Sequence, residues 1–148
     1  MNIILLSGGS GKRLWPLSND IRSKQFIKLF KDDNGNYESM VQRVYRQITT
    51  VNPMVKVTVA TSKNQVSVIK SQLGEKINIC VEPSRRDTFP AILLAAAYIH
   101  YELGIGVEEC IAVCPVDPYV DNDYYKCVGE LENLVEAGTA NLTLMGIK

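Results

Sequence analysis

Short apolar runs that alternate with helical stripes constrain this chain more than any other feature. The runs are Asn2 to Ser7, Val55 to Ala60, Ile77 to Val81, Cys110 to Cys114 and Leu142 to Met145. Near-continuous runs of this length fit strands buried on both faces, as in a parallel sheet. Between them, Met40, Val41, Val44 and Ile48 make one helical stripe, and Ser39 with Gln42 offers a capping box at its start. Val66, Ile69 and Leu73 make a second, closed by Gly74. Pro90 to Leu103 is apolar almost all round, which predicts a well-buried helix. Tyr124, Val128, Leu131 and Val135 make a fourth stripe, ended by Gly138. The alternation predicts one domain over residues 1–148, a three-layer α/β arrangement on a mostly parallel sheet. Lys31 to Ser39, KDDNGNYES, reads as a solvated, mobile turn.

The charge balance narrows the partners. Sixteen basic residues match sixteen acidic ones, so the basic excess usual for nucleic-acid or membrane-surface binding is missing. No apolar run reaches the 18 residues of a membrane span. Met1 to Leu6 lacks a charged leader region and a cleavage site, and reads as a first strand. Cys80, Cys110, Cys114 and Cys127 form no CxxC pair, and His100 is the only histidine. They are expected to be reduced, mostly buried thiols of a cytoplasmic protein.

In open α/β sheets, ligands bind beyond the carboxyl ends of the strands. Beyond the first run lies GGSGKRLWPL, three glycines with Lys12 and Arg13. Beyond Val55 to Ala60 lies TSKNQ, polar and unremarkable. Beyond Ile77 to Val81 lies EPSRRDTFPA, and beyond Cys110 to Cys114 lies PVDPYVDND. The three unusual segments share one sheet edge and are predicted to converge on one crevice. The backbone N–H groups of a glycine loop can cradle phosphate oxygens, and an aspartate such as Asp117 can hold Mg²⁺ with phosphates and waters. The loop is not a Walker A loop, because Arg13 follows the lysine where Ser or Thr is needed. It is not a dinucleotide fingerprint, because Leu14 replaces the third glycine.

GGSGKRLWPLS (Gly8 to Ser18), KQF (Lys24 to Phe26) and EPSRRDTFPA (Glu82 to Ala91) resemble, in that order, the motifs of the sugar-nucleotide pyrophosphorylases. Trp15, the KQF and the EP…R…T…PA segment are similar to the guanylyl branch of that family, and the resemblance covers the whole chain. It implies a Rossmann-like nucleotidyltransferase fold, Mg²⁺, and GTP and mannose 1-phosphate as substrates, giving GDP-mannose and pyrophosphate. By the resemblance, Leu6, Gly8, Gly9 and Gly11 approach the nucleotide. Arg13 holds the departing pyrophosphate, and Lys24 neutralises the α-phosphate and the attacking sugar phosphate. Glu82, Arg86, Asp87 and Thr88 shape the nucleoside pocket, and Asp117 binds the metal.

The chain departs from the pattern at four places. Ser23 stands where the family has proline, a matter of loop stiffness. Asp87 stands where it has asparagine, and Pro118 where it has histidine. At LTLMGIK the family continues into sugar-binding segments and a second metal aspartate. The chain is therefore expected to be the nucleotide-binding part of such an enzyme, binding GTP weakly and turning over little. The strand ending at Met145 is expected to leave an apolar patch that favours self-association. Two other readings stand beside this one: a relative using another nucleotide or sugar 1-phosphate, and a nucleotide-binding module without chemistry.

Several of these residues also have plainer readings. Trp15 reads as packing and Lys12 as solvated. Arg85 with Arg86 can be a surface pair, although Arg86 is favoured for function. Asp87 or Thr88 can cap the helix near Phe89, and Asp121 and Asp123 can cap the next. His100 is a helix residue with no partner in view.

Overall fold

The computed structural model describes residues 1–8, 18, 23–84 and 86–146. The strands are β1 (Asn2–Leu6), β2 (Lys28–Lys31), β3 (Tyr37–Ser39), β4 (Lys56–Ser62), β5 (Asn78–Glu82) and β6 (Ile111–Pro115). The helices are α1 (Met40–Val51), α2 (Val66–Leu73), α3 (Thr88–Tyr101) and α4 (Asn122–Glu136). Short 3₁₀ turns occupy Lys24–Phe26 and Lys63–Gln65. β5-β4-β1-β6 form a parallel sheet, in which Ile4 of β1 pairs with Thr58 of β4 and Val113 of β6. The carboxyl ends of all four strands therefore point the same way.

The strand period of two divides the core between the two faces of this sheet. Ile3 and Leu5 pack with Val57 and Val59 against Val41, Val44 and Ile48 of α1, Ile69 of α2, and Tyr125 and Val128 of α4. Ile4 and Ala60 turn the other way with Cys80, against Ala95 and Ile99 of α3. The layers are helices, sheet, helix, as the alternation predicts. α1 starts on the expected capping box: Ser39 Oγ accepts from Gln42 N–H, and Gln42 Oε1 accepts from Ser39 N–H. Asp121 caps α4 by accepting from the N–H groups of Asp123 and Tyr124. Among the described residues, no helix is long and apolar enough to cross a membrane.

Five expectations are corrected. α3 is not buried all round: Ala91, Ala95 and Ile99 face the sheet, while Phe89, Leu93 and Tyr101 are mostly exposed. Small residues at a spacing of four let the helix lie close to the strands, which turns its bulky residues outward. α3 lies over β1, β4 and β5, so Ile111 and Val113 on the same face of β6 stay partly exposed. Leu142 to Met145 is not a strand. Thr143 Oγ1 instead donates to Leu131 O, Met145 packs on the main core, and Leu142 and Leu144 are exposed.

Lys31 to Ser39 is not all turn. β2 and β3 form an antiparallel hairpin, and Asp32 organises its tip by accepting from the N–H groups of Asn34 and Asn36. The cysteines are all free, but only Cys80 and Cys114 are buried, and Cys127 is exposed. His100 has a partner, since its Nδ1 lies 2.7 Å from Ile105 O.

Candidate nucleotide site

The alternation along β1 carries into the site. Ser7 continues the α1-side face and Gly8 the α3-side face, so the chain leaves the strand with one group on each half of a crevice. On the α3 side, a β-carbon built on Gly8 would lie 3.4 Å from Glu82 Oε1. Glycine thus keeps the approach to that carboxylate open. Glu82 comes from the end of β5, in register with Ser62 of β4, and is 8% exposed. A nearly buried carboxylate facing a bare backbone is suited to receiving N–H donors.

On the α1 side, the 3₁₀ turn Lys24–Phe26 is fastened to three elements. Gln25 Nε2 donates to Ser7 O at 2.6 Å, tying the turn to the end of β1. Gln65 Nε2 donates to Ser23 Oγ at 2.9 Å, and Gln65 Oε1 accepts from Thr61 Oγ1 of β4 at 2.6 Å. Gln72 Nε2 of α2 donates to Phe26 O at 3.0 Å. Ser23, Gln25, Gln65 and Phe26 are all buried. Buried amides that meet their partners in this way hold one geometry, because any shift strands a desolvated dipole.

From that turn Lys24 Nζ reaches Asp117 Oδ2 at 2.7 Å, across 93 positions of sequence. Asp117 stands two residues beyond β6 and is about half exposed. It offers one accessible carboxylate, while no group of three metal-ligating side chains gathers among the described residues. Mg²⁺ is commonly held by one or two carboxylates with substrate phosphates and waters, so this donor set fits it. The two buried thiols are poor nucleophiles. Burial pushes Cys114 up to about 11, and burial with the nearby Glu82 charge raises Cys80.

Leu6, Gly8, Lys24, Glu82 and Asp117 thus gather at one edge of the sheet. Arg86 and Asp87 lie on the exposed link from β5 to α3, and Thr88 opens the helix. There Arg86 Nε donates to Ser84 Oγ at 3.4 Å, and Asp87 caps α3 by accepting from Thr88 N–H at 2.9 Å. Asp87 has φ 70° and ψ −169°, a backbone state that suits glycine. Gly9, Gly11, Lys12, Arg13, Trp15 and Arg85 lie outside the described residues.

Ser23 does more than soften a loop, because its hydroxyl is the acceptor for Gln65. The residues that sequence reasoning missed are the glutamines. Gln65 sits in the stretch read as unremarkable. Gln47, 3% exposed on the apolar face of α1, was the clearest available signal. A cleft of about 930 Å³ lies elsewhere, between the outer edge of β6, α4 and residues 141–145. It lacks the strand-end groups gathered here.

A nucleotidyl transferase family model matches residues 2–147. The chain belongs to the nucleotidyl transferase family. It is similar to a mannose-1-phosphate guanylyltransferase of Escherichia coli, 32% identical over 98% of this chain and 31% of that protein. It is similar to the alginate biosynthesis protein AlgA of Pseudomonas putida, 34% identical over 80% of this chain and 24% of that protein. Among solved structures it resembles the mannose-1-phosphate geranyltransferase of Thermus thermophilus, with a TM-score of 0.72 and 28% identity. That match covers 93% of this chain and 38% of the other. The chain spans about a third or less of these curated relatives.

Proposed function

We propose that this domain binds GTP with Mg²⁺ and serves the transfer of GMP to mannose 1-phosphate, giving GDP-mannose and pyrophosphate. The observation that carries this reading is the pairing of two units on one sheet edge. Gly8 with Glu82 suits a base, and Lys24 with Asp117 suits phosphates and a divalent ion. The names of the curated relatives point to guanine and mannose. An ionised carboxylate accepts hydrogen bonds and donates none. Guanine offers N–H donors, including its exocyclic amine, so Glu82 favours it over a base with an acceptor-rich edge.

The sugar phosphate oxygen forms a bond to the α-phosphorus as the bond to the pyrophosphate oxygen breaks opposite it. No protein nucleophile is required. Lys24 places a cation where charge gathers on the α-phosphate, Arg13 meets the leaving pyrophosphate, and Gly9 and Gly11 let the backbone approach the phosphates. Asp117 would hold the metal, which when bound draws charge from the phosphate oxygens. Arg86 and Thr88 close the nucleoside side. Free cysteines agree with a cytoplasmic setting.

Titration with GTP, ATP, UTP and dTTP, with and without Mg²⁺, tests the base choice, and a pyrophosphate-release assay with mannose 1-phosphate tests the chemistry. GTP is expected to bind best, and Mg²⁺ to strengthen its binding. Equal affinity for all four nucleotides would sink the guanine reading. Tight GTP binding with no release of pyrophosphate, by this chain and by one extended to the length of its relatives, would make this a binding module.

A further inference from the structure

We infer that Arg43 is a positioning residue that sets the place of Asp117 through the loop that carries it. The inference rests on the reading of Asp117 given above. Residues 116–121 cross from β6 to α4 and contain Asp117. Val116 anchors one end in the core, and Asp121 anchors the other as the cap of α4. Between these anchors the loop is gripped from α1. Arg43 Nη2 donates to Val120 O at 2.8 Å, and Gln47 Nε2 donates to the same oxygen at 2.9 Å. The Arg43 guanidinium also lies 4.6 Å from the centre of the Tyr119 ring, which packs at 5.5 Å against Phe30 of the hairpin.

The grip is itself held. Arg46 pairs with Glu38 at 2.8 and 3.0 Å, and Glu38 lies 3.9 Å from Arg43 Nη1. Arg43 therefore sits between a fixed carboxylate, a carbonyl and a ring, with little freedom to swing. α1 also packs on the Lys24 turn. One helix thus sets both members of the Lys24–Asp117 pair, which are otherwise far apart in the chain. A planar guanidinium can serve the carbonyl and the ring together, which a lysine cannot fully copy.

The test is the Mg²⁺ increment, the ratio of GTP dissociation constants without and with the ion, measured by calorimetry on the purified chain. Arg43→Met is expected to cut that increment about fivefold or more while leaving the metal-free affinity within about twofold. Arg43→Lys is expected to restore part of it. Tyr119→Ala removes an exposed ring, so it leaves the core intact, and is expected to cut the increment less. Arg46→Met frees Glu38, which restrains Arg43, and is expected to cut the increment less than Arg43→Met does.

Asp117→Asn reads the underlying assignment separately. If it abolishes the increment while Arg43→Met and Tyr119→Ala keep it, the positioning role is wrong and the metal assignment stands. If Asp117→Asn keeps the increment, or the unsubstituted chain shows none, the metal assignment falls and the role of Arg43 falls with it. Equal weakening of both arms by Arg43→Met would make it a merely structural residue and overturn the inference.

Discussion

The two halves of the crevice are built differently. The Lys24 half is cross-linked through buried side chains: Gln25 to β1, Gln65 to β4 and Ser23, and Gln72 to Phe26. The Arg86 half, beyond β5, is exposed, and the bonds among its described residues join near neighbours. Among the described residues there, Asp87 has a glycine-like backbone. Buried hydrogen bonds fix a geometry because breaking one leaves no water to replace it. Exposed local bonds compete with solvent and fix little. The Lys24 turn is thus set before any ligand arrives, whereas the exposed link that carries Arg86 is set mainly by where α3 begins.

The largest expected effect lies in the cross-linked half. Gln25→Ala removes the donor to the buried Ser7 carbonyl and is expected to cost about 2 to 3 kcal/mol in urea unfolding. It should also weaken GTP binding, since Lys24 loses its platform. A cost below about 0.5 kcal/mol would mean that the two halves do not differ as described. Ser23→Ala leaves the Gln65 amide without its acceptor and is expected to cost about 1 to 1.5 kcal/mol by the same measurement.

In the exposed half the pattern should turn on backbone rather than contacts. Asp87→Ala keeps the unfavourable φ and loses the cap, and is expected to cost about 1 kcal/mol. Asp87→Gly loses the cap but relaxes the backbone, and is expected to lie within a few tenths of the unsubstituted protein or above it by up to about 1 kcal/mol. Thermal unfolding of the pair decides this, and an equal loss in both would show that the cap alone matters. The smallest effect is expected at Leu93→Ser on the outer face of α3, within about 0.5 kcal/mol. A large loss there would show that this face is covered.

Some of this was legible in the chain itself. Buried runs separated by helical stripes leave few architectures, and the observed parallel sheet with α1 to α4 is the one they allow. Caps were legible because they are local: Ser39 with Gln42, Asp121 and Asp87 each act within three residues. The gathering of Glu82 and Asp117 followed from a rule about strand ends that needs no distances. The extent of burial did not follow. An apolar stripe such as Leu93 or Leu144 records what a face could cover, and leaves open whether a neighbour stands there.

What the sequence by itself determined is the four helices, the four strands of the parallel sheet, their order, and the edge of the sheet where chemistry collects, because these depend on periodicity and on groups a few residues apart. What only the tertiary structure decided is which polar groups hold that chemistry in place. Lys24 and Asp117 are 93 positions apart, Arg43 and Val120 are 77 apart, and Gln65 reaches back 42 positions to Ser23. A glutamine or arginine carries no mark of its partner in its neighbours, since its hydrogen bond is chosen by whichever backbone or side chain the packed strands bring within about 3 Å.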